Sequence, residues 1–245
     1  MDTVEIYTKL NSDQEFFNQA AAKYGAQDKA YLLMCIIGED TEKESDNPCL
    51  DIAERHIVDL IYKQAKLEGI DITYPQTVQI CNGRSIDGLS VEDVVMINNL
   101  KNAWKYVLST LDLALNFYYL SDVNHFVQAG LRADAGKIRA GSISINGTDW
   151  VPDTMNLEKI ERGLDEYKND PIGMCIWIMH AQPFSGCNEL TALLICNKML
   201  IKRKHGVLVI PPDKFEAYFS RLIAFYEGYG RGPLSGFLDS CIITG

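Results

Sequence analysis

The stretch Gln182-Pro183-Phe184-Ser185-Gly186-Cys187-Asn188-Glu189-Leu190-Thr191-Ala192-Leu193 decides the reading of this chain. Proline, serine and glycine mark its first half as a loop. From Asn188 onward the residues favour a helix, which the spacing predicts over 189–203. On the other side, 171–181 reads as a buried helix, apolar on nearly every face and opened by Pro171. Two buried helices joined by a tight Pro-Phe loop are the centre from which the rest is built.

Outward from this centre the pattern stays helical. Helices are expected over 12–24, with Asn11 or Ser12 as N-cap, over 26–37, and over 48–68, closed by Gly69. Two short turns are expected over 75–81, with Asn82-Gly83 as a left-handed cap. Ser90-Val91-Glu92-Asp93 resembles a capping box. It opens a long helix through Ile97, Leu100, Trp104, Val107 and Leu111. Further helices are expected over 121–130, 156–168 and 213–227, with a short one after Pro233. The segment 38–47 reads as a solvated acidic loop.

One segment breaks the helical period. Ser142-Ile143-Ser144-Ile145 alternates polar and apolar residues. Asn146-Gly147 follows, then Thr148-Asp149-Trp150-Val151. Asn-Gly between alternating runs is a hairpin signal, because a type I′ turn needs positive φ twice. A lone hairpin has no sheet to join, so it is expected to lie on the helices as a flap. The fold class is therefore all-α with one β-hairpin flap.

Composition bounds the function. With 245 residues the chain holds one large or two small domains. A net charge of −10 argues against a broad phosphate-binding surface, so no nucleic-acid partner is expected. No apolar run approaches the roughly 18–20 residues of a membrane span, and no signal-peptide pattern opens the chain. Seven cysteines, an odd number without a CxxC pair, read as reduced thiols in a cytoplasmic protein. The four histidines are scattered, so no metal site is expected. The basic run Lys202-Arg203-Lys204-His205 reads as a solvated helix end.

The order of elements resembles the Fic (Fido-domain) family. Gly136-Lys137-Ile138-Arg139-Ala140-Gly141, with the hairpin and Val151-Pro152, looks like that family's flap. Residues 182–193 lie where the family has H-P-F-x-[DE]-G-N-[GK]-R-x-x-R. Pro183, Phe184 and Asn188 agree. The resemblance covers roughly residues 90–205. It implies a helical core over 90–205, a helical region over 1–89, and C-terminal helices over 206–245 packed on the core. It also implies AMP transfer from Mg-ATP to a protein hydroxyl, with a protein target docked on Ser142, Ile143, Ser144, Ile145, Asn146 and Gly147.

The chemistry of the motif is absent. The family's histidine is a general base, and here the position is Gln182, whose amide cannot take a proton near neutral pH. The acidic metal ligand is Gly186 and the motif glycine is Cys187. Glu189 puts an anion where phosphates would lie. The two arginines are Leu190 and Leu193. His180 stands two residues before Gln182, about 200° round the helix, and faces away. Many family members also carry an inhibitory [ST]-x-x-x-E-[GN] helix. Thr77-Val78-Gln79-Ile80-Cys81-Asn82, inside the segment 75–83, fits except at Cys81. Glu68-Gly69 lacks the hydroxyl residue, because Gln64 stands four positions earlier. A glutamate without its arginine would be a costly unpaired charge, so loss of both together is consistent.

The resulting expectation is a catalytically impaired Fic-fold protein acting as a binding or regulatory module, without a cofactor. The alternative is an active nucleotide-dependent transferase of altered chemistry, using Mg-ATP. A third reading makes Cys187 a reactive thiol at a helix N-terminus, but Glu189 opposes it. Sequence names neither the target nor the oligomeric state.

Overall fold

The computed structural model describes residues 1–38 and 46–244. The acidic-loop expectation for 38–47 thus falls mostly outside the described residues. The helices are α1 (Thr3–Ser12), α2 (Gln14–Tyr24), α3 (Lys29–Gly38), α4 (Pro48–Arg55), α5 (Ile57–Leu67), α6 (Tyr74–Cys81) and α7 (Val91–Ser109). They continue as α8 (Phe117–Gln128), α9 (Leu157–Glu166), α10 (Pro171–Ala181), α11 (Asn188–Lys202), α12 (Phe215–Tyr226) and α13 (Gly232–Asp239). Two short strands, β1 (Val207–Leu208) and β2 (Ile242–Ile243), pair antiparallel.

The α10–α11 pair is the centre. In α11 every residue but Glu189 and Lys202 is buried. α10 begins where Asp170 caps it through the Gly173 N–H, with Pro171 in its first turn. α7 and α8 pack against α11, and α9 lies on α10. Gly163 of α9 permits the last contact, because a Cβ there would stand 2.0 Å from the Trp177 ring. One continuous apolar core links residues from both sides of position 90.

Local chemistry explains where the boundaries differ from expectation. The predicted helix 12–24 starts later, because Asp13, not Asn11 or Ser12, accepts from the N–H groups of Glu15 and Phe16. The α1 helix before it buries only Ile6 and Leu10, too few apolar positions to show a period. The predicted helix 48–68 divides at His56, whose backbone leaves the helical region (φ −105°, ψ 13°). Apolar spacing runs unbroken through Cys49, Ala53, Leu60, Ile61 and Ala65, so the kink is silent in the pattern.

The flap expectation needs a correction. Residues 142–151 do turn at Asn146-Gly147, with Gly147 at φ +88°, but they form no strand ladder. Ile143 and Ile145 are half-buried while Ser142 and Ser144 are exposed, so the alternation is real. Its arms are held by the body of the protein instead of by each other. Arg139, 6% exposed, donates to the carbonyls of Gln182 (2.6 Å), Gly141 (2.8 Å) and Asp153. Trp150 stacks on Tyr226 at 4.8 Å, nearly parallel. Main-chain pairing occurs elsewhere, between β1 and β2. There Asn197 fixes β1 by accepting from the Leu208 N–H and donating to the Leu208 carbonyl.

Lys198 on α11 is 2% exposed, and its ammonium donates to the carbonyls of Thr110 (2.8 Å) and Leu111 (2.9 Å). Burial, reinforced by Lys202 and opposed by Asp112, pushes this amine down to about 7. Between pH 7 and 9 the unfolded chain holds a proton that the folded one gives up. Lys198 therefore adds stability as pH rises through that window. Urea unfolding should show wild type gaining on the order of 2 kcal/mol over Lys198→Met from pH 7 to pH 9. Parallel pH profiles would refute the assignment.

Candidate functional site

The loop between α10 and α11 is built around an asparagine. Asn188 is 1% exposed. Its carbonyl oxygen accepts from the Phe184 N–H (3.0 Å), and its amide donates to the Phe184 carbonyl (2.9 Å) and to Gln182 Oε1 (2.7 Å). This closes the loop on itself and buries the Phe184 ring completely. Pro183 is buried too, and its carbonyl accepts from the Arg139 N–H at 3.0 Å. Both ends of the loop are left-handed: Gln182 at φ 44° and Cys187 at φ 52°. Such backbone costs about 1–2 kcal/mol per non-glycine residue and persists only where surroundings fix it.

Gln182 is 3% exposed and fully engaged. Its amide nitrogen donates to the Met179 carbonyl (2.7 Å) and Glu189 Oε1 (2.8 Å), with Tyr226 Oη at 3.3 Å. The Tyr226 hydroxyl lies 2.9 Å from the same Glu189 oxygen. Gln182, Asn188, Glu189 and Tyr226 thus form one polar knot at the start of α11. No side chain caps this helix.

The knot borders a cavity of about 340 Å³. The end of α5 supplies Leu67 and Glu68, and the flap supplies 143–146. The loop supplies Gln182 and 185–189, and α12 supplies Tyr218, Phe219, Leu222, Ile223 and Tyr226. Flap and loop therefore share one cleft. Leu190 and Leu193 do not line it. Both are buried, and Leu193 packs around a void of about 20 Å³ with Leu60, Leu67 and Trp104. The two positions that the resemblance sets against the motif arginines thus lie in the core.

The second carboxylate of the cleft comes from a segment sequence reasoning set aside. Thr77, Cys81 and Asn82 do not line the cavity. Thr77 is buried and bonds back to the Thr73 carbonyl, and the Cys81 carbonyl accepts from Lys101. Glu68 is the acidic residue that reaches the cleft, from a segment ending in the Glu-Gly pair of the inhibitory pattern. Its Gln64, at the hydroxyl position, instead accepts from the Trp104 indole at 2.7 Å. Glu68 keeps solvent access, yet the protein around it and the charge of Glu189 push its carboxyl up to about 7. Tyr226 was legible only as a core aromatic.

His180 is exposed and lies outside the cleft, against Trp150 (4.8 Å) and Phe225 (5.4 Å) in a separate open hollow. Cys187 is half-buried. Burial, Glu68 and Glu189 push its thiol up to about 12, against a weaker opposing pull from Arg132. Iodoacetamide at pH 8 should modify Cys187 at least about 100-fold more slowly than free cysteine, because the thiolate is the nucleophile. A rate near that of free cysteine would restore the thiol reading.

Gly186 has a packing reason. A Cβ there would stand 3.1 Å from Gln128 Oε1, and Gln128 is 1% exposed and tied to Asn124 at 2.6 Å. Among the described residues that buried oxygen has no hydrogen-bond partner. Gly186→Ala should cost about 1 kcal/mol, a fall of roughly 2–4 °C in Tm. Gln128→Ala should absorb part of that cost, giving a coupling of at least about 0.5 kcal/mol in a double-mutant cycle. Strict additivity would show that Gln128 does not restrict position 186.

No family model matches the sequence. A protein adenylyltransferase Fic of Aedes aegypti is 24% identical over 212 residues, 80% of this chain and 42% of the relative. A protein of the same name from Drosophila persimilis is 23% identical over 197 residues, 74% of this chain and 38% of the relative. The chain thus spans about two-fifths of these relatives' length. Among solved structures, Fic-1 (aa134–508) of C. elegans superposes with a TM-score of 0.66 at 16% identity, covering 98% of this chain and 79% of that one. A Fic domain containing signaling protein of Bacteroides thetaiotaomicron gives 0.65 at 14% identity, covering 86% and 93%.

Proposed function

From a chain that has the Fic fold of the Fic/Fido family, we propose a binding or regulatory module whose nucleotide chemistry has been lost. The polar knot carries this reading. Its glutamine occupies the position of the motif histidine, buried and bonded on both amide atoms. Glu189, bonded to that glutamine and to Tyr226, sets a carboxylate where the motif would receive phosphates.

A magnesium-bound nucleotide fits this donor set poorly. The metal carboxylate is replaced by Gly186, and the buried Gln128 oxygen crowds any side chain restored there. Both arginine positions are buried leucines. Among the described residues no three His, Cys, Asp or Glu side chains are grouped to hold a metal. General-base catalysis contributes about 10²–10⁴-fold, and oriented charge stabilisation contributes as much again. Both parts are missing together.

The flap remains a route to a protein target. Strand addition uses main-chain groups, and the unladdered arm 142–145 offers them. The free thiols are consistent with a reducing, cytoplasmic setting, and no described helix is long and apolar enough to cross a membrane. A second reading, transfer from an altered donor, draws support from the open 340 Å³ cleft.

Calorimetry with Mg-ATP should give a Kd weaker than about 10 µM, the equivalent of −7 kcal/mol. Gln182→His alone should transfer no labelled AMP. The six-fold variant adding Gly186→Asp, Cys187→Gly, Glu189→Gly, Leu190→Arg and Leu193→Arg is the positive arm. Tight Mg-ATP binding by the wild-type chain, or clear labelling by the single variant, would show an intact phosphate site and favour the second reading.

A further inference from the structure

The cleft holds two carboxylate side chains, Glu68 at the end of α5 and Glu189 in the first turn of α11. Among the described residues neither makes an ion pair. Both hydrogen bonds to Glu189 reach Oε1, and Oε2 takes neither. The lining also includes aromatic and aliphatic side chains, Tyr218, Phe219, Leu222 and Ile145. Phe219 is 43% exposed, a large ring left partly open beside the cavity. Two carboxylates beside apolar groups in an open cleft describe a receptor for a cation on a hydrocarbon stem.

We infer that this cleft binds an alkylguanidinium or alkylammonium group, with its charge at Glu68 and Glu189 and its stem along the α12 wall. The inference rests on the non-nucleotide reading of the cleft and names its ligand class. A bare metal ion suits the site less well, because it wants six or more oxygen donors and has no use for the aromatic wall. A neutral ligand leaves the charges of the two carboxylates uncompensated. A cation relieves the repulsion between them, which adds to the desolvation by surrounding protein that draws the Glu68 carboxyl up towards neutrality.

The pH behaviour follows from the same arrangement. The groups facing the charge are Glu68, Glu189, Cys187, Tyr218 and Tyr226, and Arg132, whose Cδ would lie 3.8 Å from a Cβ at Gly186, is paired with Asp134 at 3.0 Å. Cys187, Tyr218 and Tyr226 are all pushed up and stay neutral through pH 8. Glu68, at about 7, changes charge in this range. Cation binding should therefore strengthen from pH 6 to pH 8.

The test is calorimetry on the full chain with agmatine, and separately with acetyl-Gly-Arg-Gly-amide and its neutral citrulline counterpart. Agmatine and the arginine peptide should bind, and the citrulline peptide at least about tenfold more weakly. A tighter peptide than agmatine identifies a polypeptide side chain as the source, and equal affinities identify a free cation. Affinity for agmatine should rise about fivefold from pH 6 to pH 8. Glu68→Gln, at the surface, and the near-isosteric Glu189→Gln should each weaken it about tenfold or more, with Tm reporting that both variants fold. Equal binding of the citrulline peptide, unchanged affinity in both variants, or no cation binding at 10 mM would overturn the inference. Mg-ATP runs as a separate arm. Tight ATP binding in the cleft defeats the functional reading, whereas failure of both ATP and cations defeats this inference alone.

Discussion

Asn188 is the constraint on which the site depends. One carboxamide ties the first helical residue of α11 to both backbone groups of Phe184 and to the side chain of Gln182. The chain can then leave α10 in a left-handed conformation, reverse, and re-enter a helix within a few residues. The carbonyls of Gln182 and Pro183 point outward from that reversal to Arg139, which anchors the flap. A helix pair, a loop and a flap are thus joined through one buried amide. Its polar atoms are all bonded, so the low-dielectric interior strengthens the arrangement instead of penalising it.

The parts of the fold visible in the sequence are those set by local chemistry. Asp170, Pro171 and an apolar run define α10 without tertiary information. Asn146-Gly147 announces a turn, and the turn forms. What the dipeptide cannot announce is whether the arms pair. Trp150 on Tyr226 and Arg139 on the carbonyls of Asp153 and Gln182 are contacts across many residues, and they hold the arms apart from each other. The cleft follows the same rule. Its loop residues were legible through the resemblance of 182–193 to the family motif, and the Pro-Ser-Gly composition marked them as a loop. Glu68 was not, because only the packing of α5 carries it there. Gln128 was not either, because a glutamine on a buried helix face leaves no periodic trace.

The electrostatics of the cleft run in one direction. Glu68, Cys187, Tyr218 and Tyr226 are all displaced upward, each against its charged form, by burial together with the charge of Glu189. A site that receives phosphate needs the reverse field. At about 5 Å and an effective dielectric near 20, one more unit anion is repelled by about 3 kcal/mol per carboxylate. Glu189 therefore acts against a nucleotide, and Glu68 adds to it as its carboxyl ionises above about pH 7.

The packing of these positions is mutually dependent. Leu190 and Leu193 are buried, and Leu193 closes on Leu60, Leu67 and Trp104. With no side chain at 186, the loop backbone lies close to Gln128, whose oxygen would stand 3.1 Å from a Cβ there. The Gln182 amide is a neutral donor that holds Glu189 beside Tyr226. A change at any one of these positions meets a neighbour fitted to the present arrangement, so its cost depends on what the others do. Packing and charge therefore hold the cleft together as a whole.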